Sequence, residues 1–169
     1  MDQEQLHQKR TPEPRKIKAW SFSALKLFEK CPHAAALHYL HRERGPDHSD
    51  DPKHPLTRGT KLHESMEHFI TGQSSTLEKP LKEHFLEDLK HLRERYEENL
   101  VLVEREWGFT RDFETTEWNA PDVWLRIKAD AIEVHEAGAM TLIDLKSGKK
   151  YGNEVKHNQQ GQLYALGAF

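Results

Sequence analysis

The 169-residue sequence contains a single cysteine, Cys31. One cysteine excludes an internal disulfide and any four-cysteine zinc or iron–sulfur site. No apolar run approaches the ~18 residues that a membrane-spanning helix needs, and nothing at the N-terminus resembles a signal peptide. The net charge is only −3, so any binding of nucleic acid depends on local basic surface such as residues 9–18. These features predict a cytoplasmic protein that has no iron–sulfur cluster and does not enter the membrane.

The chain is long enough for one domain. Residues 1–18 are polar and contain two prolines, so we expect a flexible arm there and a single domain over residues 19–169. Ser21 or Ser23 is expected to cap a short helix that stops near Cys31, and a second short helix should follow over residues 34–41. The stretch RGPDHSDDPKHP, residues 44–55, is typical of a loop.

The hydrophobic pattern then changes from a helical to an extended period. Apolar residues at helical spacing predict a helix from about Thr60 and a longer one over residues 81–99. LVLVEREWGFT, VWLRIKADAIEV and TLIDLKSG are rich in β-branched and aromatic residues and predict three strands, the last two joined by a turn at Gly138. A final helix is predicted over residues 154–169, so the order α, β-β-β, α indicates an α/β fold.

Two of these strands carry carboxylates. In residues 123–134 the apolar positions shift from odd to even numbers, which predicts a bulge or bend beside Asp130. Asp144 and Lys146 are two residues apart, so in a strand they share one face. On the Asp130 face they would form a site for a cation, since carboxylates held close repel one another without one, and hard oxygen ligands suit Mg²⁺ or Mn²⁺. A surface ion pair is the alternative for Asp144 and Lys146 alone.

Two pairs of polar residues lie four apart on helices, hence on one helical face. His63 and Glu67 are a candidate ligand pair facing the sheet, although His68 is about 140° further round the helix, which disfavours the His-Glu-x-x-His site of a zinc hydrolase. Gln160 and Tyr164 offer an amide and a phenol that can bond a phosphate backbone or hold a catalytic strand. A solvated helix surface is the simpler explanation of either pair taken alone.

Four stretches follow one another in a characteristic order: RGTKLHESMEHF, KADAIEV, LIDLKSGK and QQGQLYALGAF, preceded by SFSALKLFEKCP. In that order they resemble the RecB-like branch of the PD-(D/E)XK nuclease superfamily, which includes recombination exonucleases, CRISPR-associated exonucleases and phage-encoded relatives. The resemblance covers about residues 19–169. It implies a restriction-endonuclease-like core, in which a central mixed β-sheet is flanked by helices.

The resemblance also implies roles for individual residues. Asp130, Asp144 and Lys146 would be catalytic, with Lys146 orienting or deprotonating the attacking water. Gln160 and Tyr164 would contact DNA or support the site, and Glu67 would serve a second metal or an outer position. The implied ligands of Mg²⁺ or Mn²⁺ are His63, Asp130, Asp144 and the backbone carbonyl of Leu145.

The function implied is that of a metal-dependent DNA nuclease, an exonuclease in DNA recombination, repair or phage DNA processing. Its substrate would be linear duplex or single-stranded DNA, delivered by a helicase or recombinase in a prokaryotic or phage-infected cell. The alternative is a catalytically idle DNA-binding or assembly module that keeps the fold. The family core usually continues past the Q-x-x-x-Y helix into another strand, whereas this sequence stops at Phe169, so we expect a truncated chain or a differently completed sheet.

Overall fold

The structure, a computed structural model, describes residues 16–43, 45, 51–146 and 154–168, and in the last of these segments the side chains of residues 158–165. Most of the predicted N-terminal arm therefore lies outside the described residues. The same holds for residues 44 and 46–50 of the predicted loop, for residues 147–153 and for Phe169.

Helices occupy the first half of the described chain. Helix α1, Phe22–Lys30, begins as predicted after Ser21, whose hydroxyl accepts a hydrogen bond from the Ala24 N–H at 3.2 Å. The predicted second helix is also confirmed, because α2, Pro32–Ala35, continues into a π-helical turn over Ala36–His41. The remaining helices of this half are α3, Pro55–Ile70, α4, Lys79–His84, and α5, Leu86–Glu97.

Two predicted helix boundaries were wrong. Helix α3 begins five residues before Thr60, because Pro55 suits the first helical position and the His54 ring accepts a hydrogen bond from the Leu56 N–H. The predicted helix over residues 81–99 is two helices, α4 and α5, which are separated at Phe85 by a non-helical backbone (φ −134°, ψ 14°). Sequence periodicity did not detect this break, because the apolar residues on either side keep their spacing.

A four-stranded sheet follows the helices. Its strands are β1, Val101–Phe109, β2, Thr115–Thr116, β3, Leu125–Val134, and β4, Met140–Ile143. They lie in the order β2-β1-β3-β4, and every neighbouring pair is antiparallel. Within the described residues the one parallel pairing is the bridge between Trp20 and Leu125. The predicted α/β fold class is confirmed, with the short β2 as an addition to the three predicted strands.

The helices cover this sheet with two apolar clusters. The first joins α3, α4 and α5 to β1, and the second joins Phe109, Leu125 and Ile127 to Leu163 and Tyr164 of the last helix, α6, Glu154–Ala168. The buried members of the first cluster are Leu62, Met66, Phe69, Ile70, Leu81, Leu89, Leu92 and Val101.

The bulge predicted in β3 is wrong. Residues on both sides of Asp130 pair with β1 in one register, and a single residue of each strand lies between them, so no residue is inserted. The bend is in β1 instead, where Glu104, opposite Asp130, has a φ of +50°. The apolar pattern of β3 shifts because its end is covered on both faces, with Ile132 and Glu133 both buried.

In the hairpin of β3 and β4 the predicted turn is confirmed, but the predicted end of the second strand is not. Gly138, in the left-handed region at φ +77°, closes a 3₁₀ turn between β3 and β4 as predicted. Strand β4 ends at Ile143, however, so Asp144 and Lys146 follow the strand rather than lying in it. The ladder stops because the Leu145 N–H donates to the Asp130 carboxylate, 2.7 Å away, instead of to a backbone carbonyl. Within the described residues no helix has the length and hydropathy to cross a bilayer.

Candidate metal centre

A cleft of about 640 Å³ lies between helix α3 and the sheet. Helix α3 buries its apolar stripe against α5, which leaves His63 and Glu67, on the flank of that stripe, at the cleft wall. The opposite wall comes from the even-numbered residues of β3, Lys128 and Asp130, and from Glu104 of β1. The predicted helical imidazole and the predicted strand carboxylate therefore line one cavity.

His63 and Asp130 are in direct contact across this cleft. The His63 Nδ1 lies 3.2 Å from the Asp130 Oδ2, and both side chains are largely shielded from solvent. The hydrogen bond to Asp130 raises the pKa of His63 above 6.5, against the opposing effect of burial; the charges of Asp130, Glu104 and Asp144 raise it further. The imidazole thus lies in a strongly negative field, which favours either a proton or a metal cation on this group.

Three carboxylates lie side by side across the sheet at one position along the strands. The register of β1 and β3 places Glu104 opposite Asp130, and the register of β3 and β4 places Asp144 at the next position after the last pair, again opposite Asp130. Neither neighbour completes a regular backbone pairing with Asp130. We call Glu104, Asp130 and Asp144 the carboxylate row. Three like charges so close destabilise the apo protein unless cations balance them.

The cations that the chain supplies balance this charge only in part. Lys128 forms an ion pair with Glu104, and this hydrogen bond raises the pKa of Lys128, against the effect of burial. Lys146 forms an ion pair with Asp144. Asp130, between them, has only His63 and the Leu145 N–H as described partners. The centre of the row is therefore the place where an added cation gains most.

The donor atoms around that position fit a divalent metal ion. A ring nitrogen of His63 and one carboxylate oxygen each from Glu104 and Asp130 lie within 4.8 Å of one another. Ligands on opposite sides of a Mg²⁺ ion are about 4.2 Å apart, so small side-chain adjustments bring all three into range. Carboxylate oxygens with one imidazole are a donor set for Mg²⁺, Mn²⁺ or a similar transition ion.

Asp144, Lys146 and Leu145 lie at the edge of this donor set. The carboxylate of Asp144 is held between Lys146 and the Gln160 amide, whose Nε2 is 3.4 Å from the Asp144 Oδ1. Asp144 is not among the three residues whose donor atoms cluster within 4.8 Å. The contact that the structure gives for Leu145 is through its N–H, which fixes the chain next to Asp130.

Gln160 of helix α6 contacts the carboxylate row at Asp144, and Tyr164 of the same helix contacts Gln160. The Gln160 Nε2 donates to the Tyr164 Oη at 2.7 Å and to Asp144, so α6 is tied to the residues that follow β4. Burial raises the pKa of Tyr164, as do the charges of Asp144 and Asp130, although the hydrogen bond from Gln160 lowers it. The phenol therefore stays neutral near pH 7.

The structure brings together more than the sequence pattern indicated. His63 contacts Asp130, and a second set of contacts joins Lys146, Asp144, Gln160 and Tyr164. The Leu145 N–H, which donates to Asp130 from the residue next to Asp144, links the two. Glu67 lines the cleft but is not in the three-residue donor set. His68 lines a different cleft, on the other side of α3, so it cannot share a metal with His63.

Sequence reasoning missed Glu104. Nothing in the local pattern distinguishes this residue from Glu106, two positions further along the same strand. The available signal was the interruption of an apolar run, Leu100 to Val103, by a charged residue, and that signal is common at strand surfaces. Only the register between β1 and β3 identifies Glu104 as the neighbour of Asp130.

An α/β domain with a carboxylate–imidazole donor set in an open cleft, next to a lysine, is typical of metal-dependent hydrolases. The model of the PD-(D/E)XK nuclease superfamily matches residues 19–168, almost the whole chain. The protein therefore belongs to the PD-(D/E)XK nuclease superfamily. Searches of curated proteins and of solved structures gave no significant match. Membership in this superfamily indicates a metal-dependent phosphodiester hydrolase that acts on nucleic acid.

Proposed function

We propose that this protein is a divalent-metal-dependent deoxyribonuclease that degrades DNA from its ends. The observation that carries the proposal is the cluster of His63, Glu104 and Asp130 donor atoms, in the cleft of a protein of this superfamily. The step to DNA ends rests on the resemblance of the four sequence motifs to the RecB-like branch. A role in recombination, repair or phage DNA processing, in the cytoplasm with a helicase or recombinase as partner, is part of the same proposal.

The residues of the chain have distinct tasks in this proposal. His63, Glu104 and Asp130 would hold the metal ion, and Asp144, adjacent to Asp130 in the carboxylate row, would complete its coordination after a small shift. The ion would supply Lewis acidity toward the scissile phosphate and the means to activate a water. Lys146 would orient that water or offset the charge that develops on the phosphate. Gln160 would hold Asp144, and Tyr164 would hold Gln160.

The donor set also bears on the choice of metal. An imidazole nitrogen suits a softer transition ion better than it suits magnesium, whereas the carboxylates suit both. We therefore expect activity with either ion and higher activity with Mn²⁺ than with Mg²⁺ at equal concentration. The site must be deprotonated to bind the cation, since a proton on His63 and a metal on the same nitrogen exclude one another.

The test is incubation of the purified protein with end-labelled linear DNA and with covalently closed circular DNA, each with Mn²⁺, Mg²⁺ or chelator. We expect the linear DNA to be shortened from its ends with either metal, the circular DNA to survive, and chelator to abolish cleavage. The Asp144→Ala variant should lose activity. The Asp88→Ala variant is the matched control, because it removes an exposed aspartate from α5, away from the cleft.

Two outcomes would contradict the proposal. Activity in chelator would exclude the metal-dependent chemistry, and full activity of Asp144→Ala would remove Asp144 from the proposed site. Binding of DNA with no cleavage under any metal, combined with no heat of Mn²⁺ binding in calorimetry, would identify an idle module that keeps the fold. Cleavage of closed circles would replace the exonuclease with an endonuclease and leave the metal chemistry intact.

A further inference from the structure

A second cleft, of about 720 Å³, lies at the beginning of β3, ahead of the carboxylate row. Its walls come from residues 16–21, from the end of the π-helical turn and from the loop that leads from β2 to β3. The segment before α1 is fixed there by backbone bonds: the Trp20 N–H donates to the Trp124 carbonyl at 2.7 Å, and the Arg126 N–H donates to the Trp20 carbonyl at 2.8 Å. We call this cavity the basic cleft.

The charge of the basic cleft is the reverse of that of the metal cleft. Among the described residues that line it, four are cations, Lys16, Lys18, Arg42 and Arg126, and none is a carboxylate. The metal cleft has four carboxylates against one lysine. In a protein with a net charge of −3, such a group of cations is a local departure that favours a polyanionic partner.

Aromatic rings alternate with these cations. Trp20, Tyr39 and Trp118 line the basic cleft. Trp118 is held in place by Arg126, whose Nε donates to the Trp118 carbonyl at 2.7 Å and whose guanidinium lies 5.1 Å from the centre of the indole ring. All three residues are half-buried, so each is partly packed and partly accessible. A rigid ring next to a cation is suited to stack on an unpaired base while the cation binds its phosphate.

The basic cleft and the metal cleft are each lined by residues of strand β3. Arg126, Lys128 and Asp130 alternate on β3 and share a face of the sheet, with Arg126 in the basic cleft and the other two in the metal cleft. At ~3.3 Å per residue, Arg126 and Asp130 are about 13 Å apart along the strand. That distance spans about four nucleotides of a stacked strand, at ~3.4 Å per phosphate, and fewer of an extended one.

We infer that the basic cleft binds single-stranded DNA and leads it to the metal cleft. The delivery of the strand to the metal cleft rests on the proposed nuclease function, whereas the binding of single-stranded DNA in the basic cleft does not. Single strands are favoured over duplex because the bases of a duplex are stacked inside the helix, where Trp20, Tyr39 and Trp118 cannot reach them. Lys16, Lys18 and Arg42 bind phosphates, and Trp118 stacks on a base. Lys128, between Arg126 and Asp130 on the same face of β3, binds the next phosphate toward the metal cleft.

The test is fluorescence anisotropy of a fluorescein-labelled oligothymidine of about twelve nucleotides, within the usual ~4–16-nucleotide footprint of such sites. Chelator is present throughout, so binding is measured without cleavage. We expect the wild-type protein to bind this strand at least about tenfold more tightly than a hairpin duplex of equal charge. Affinity is measured at several salt concentrations, because each lost phosphate contact lowers the salt dependence by a slope of about 0.7.

Two kinds of variant separate the two contributions. Lys16→Ala combined with Arg42→Ala should weaken binding about tenfold or more at low salt and reduce the slope by about 1.4, since two phosphate contacts are lost. Trp118→Leu should weaken binding by a similar factor without a change in slope, and Trp118→Phe should restore most of the affinity, because stacking needs only a ring.

Matched controls exclude a general effect of charge or hydrophobicity. Lys79→Ala combined with Lys82→Ala removes two exposed cations from α4, and Phe85→Leu removes an exposed ring, 46% accessible. Neither change touches a residue that lines the basic cleft. We expect both controls to bind the oligothymidine as the wild type does. Equal thermal unfolding of all variants is required, and the lysine and arginine variants, which change only exposed side chains, meet this condition most easily.

The outcomes separate this inference from the proposed function. If the Lys16/Arg42 variant binds the oligothymidine as tightly as its Lys79/Lys82 control, or if the wild type prefers the duplex, the single-strand cleft is excluded even in an active nuclease. If Asp144→Ala binds normally but wild-type protein cleaves nothing, the nuclease proposal fails and the cleft remains. Loss of affinity in the Lys16/Arg42 and Trp118→Leu variants alone supports the inference.

Discussion

Strand β3 carries two acidic residues three positions apart, and their surroundings differ sharply. Glu133 is buried, at 8% exposure, and its carboxylate is 3.1 Å from Arg95 Nε and 3.1 Å from His91 Nε2. His135 lies at 4.0 Å from the same carboxylate. Asp130, by contrast, lies between two further carboxylates in the carboxylate row, with His63 as its one described side-chain partner within ion-pair distance.

This difference separates a structural acid, Glu133, from an acid of the proposed metal site, Asp130. The charge of Glu133 is balanced by side chains of α5 and of the β3–β4 turn. Glu133 therefore joins the helix to the sheet and needs no added cation. Side chains leave the charge around Asp130 unbalanced, and an open cleft gives access to it. Burying or crowding a charge without a partner costs stability, so an arrangement such as the row is retained where a cation or substrate compensates it.

The largest expected effect is on cleavage, when the carboxylate of Asp130 is replaced by an amide. If the proposed function holds, Asp130→Asn should lower DNA cleavage by about 10³-fold, because the proposed central ligand of the metal is lost. Its free energy of unfolding should change by less than about 1 kcal/mol, since relief of repulsion offsets the weaker hydrogen bonds to His63 and Leu145. Cleavage assays and urea unfolding check the two parts. The comparison fails if Asp130→Asn is severely unstable, or if its cleavage rate is unchanged.

Glu104 offers the next largest effect and tests the residue that sequence reasoning missed. Glu104→Gln should weaken Mn²⁺ binding by roughly 10–100-fold, as for other losses within a metal site. Glu106→Gln is the matched control, because Glu106 lies on the same strand two residues further on and approaches the same lysine, Lys128, at 4.0 Å. Isothermal titration calorimetry measures both. Equal affinities in the two variants would remove Glu104 from the ligand set.

Glu133 should show the opposite behaviour. Glu133→Gln should lower the free energy of unfolding by about 2 kcal/mol, because it weakens charge-assisted hydrogen bonds to His91 and Arg95 at a buried position. Cleavage by the folded variant should equal that of the wild type. Urea unfolding and initial cleavage rates test this pair of expectations. A variant that is as stable as the wild type, yet inactive, would place Glu133 with the functional acids instead.

The smallest expected effect is a pH dependence of the stability that Glu133 contributes. Burial alone raises the pKa of Glu133, but the hydrogen bonds from His91 and Arg95, with the charges of His135 and His91, outweigh it and hold the pKa below its ordinary value of 4.5. A carboxylate with a lowered folded pKa stabilises the protein above its unfolded pKa, and this stability is lost as the pH falls through the folded pKa.

The stability difference between the wild type and Glu133→Gln should therefore be larger at about pH 5.5 than at about pH 3.5, and shrink as the pH falls below about 4.5. The charged groups that face Glu133 are His91 and Arg95 on α5 and His135 after β3, and Glu98 pairs with Arg95. Urea unfolding across that range measures the difference. A difference that grows toward low pH would contradict the assigned direction of the pKa. Glu87→Gln, at an exposed position, is the control.

Local sequence patterns were sufficient for most of the secondary structure. The Ser21 cap, the apolar stripe of α3 and the turn at Gly138 each depend on residues within one or two turns of chain, and the structure confirms them. The break at Phe85 and the end of β4 at Ile143 were missed. Each of these depends on packing or on a hydrogen bond from a distant residue, such as that between Leu145 and Asp130.

In the candidate site, too, some contacts were predictable from local spacing and others depended on tertiary packing. Spacing alone paired Gln160 with Tyr164, and the structure gives the hydrogen bond between them. Their contact with Asp144 needed α6 to dock at the end of β4, which no spacing predicts. The metal roles of His63, Asp130, Asp144 and Lys146 stay predictions, although the structure brings these residues to one end of the sheet.

The sequence by itself determined which residue types are available and where helices and strands carry them, because periodicity and capping act over a few residues. Only the tertiary structure decided that Glu104, Asp130 and Asp144 form one row, that Glu133 on the same strand pairs with cations of its own, and that Arg126 lies in a cleft with three other cations. The physical reason is that strand register and helix docking are set by the packing of the whole core, and charges meet only where that packing places them.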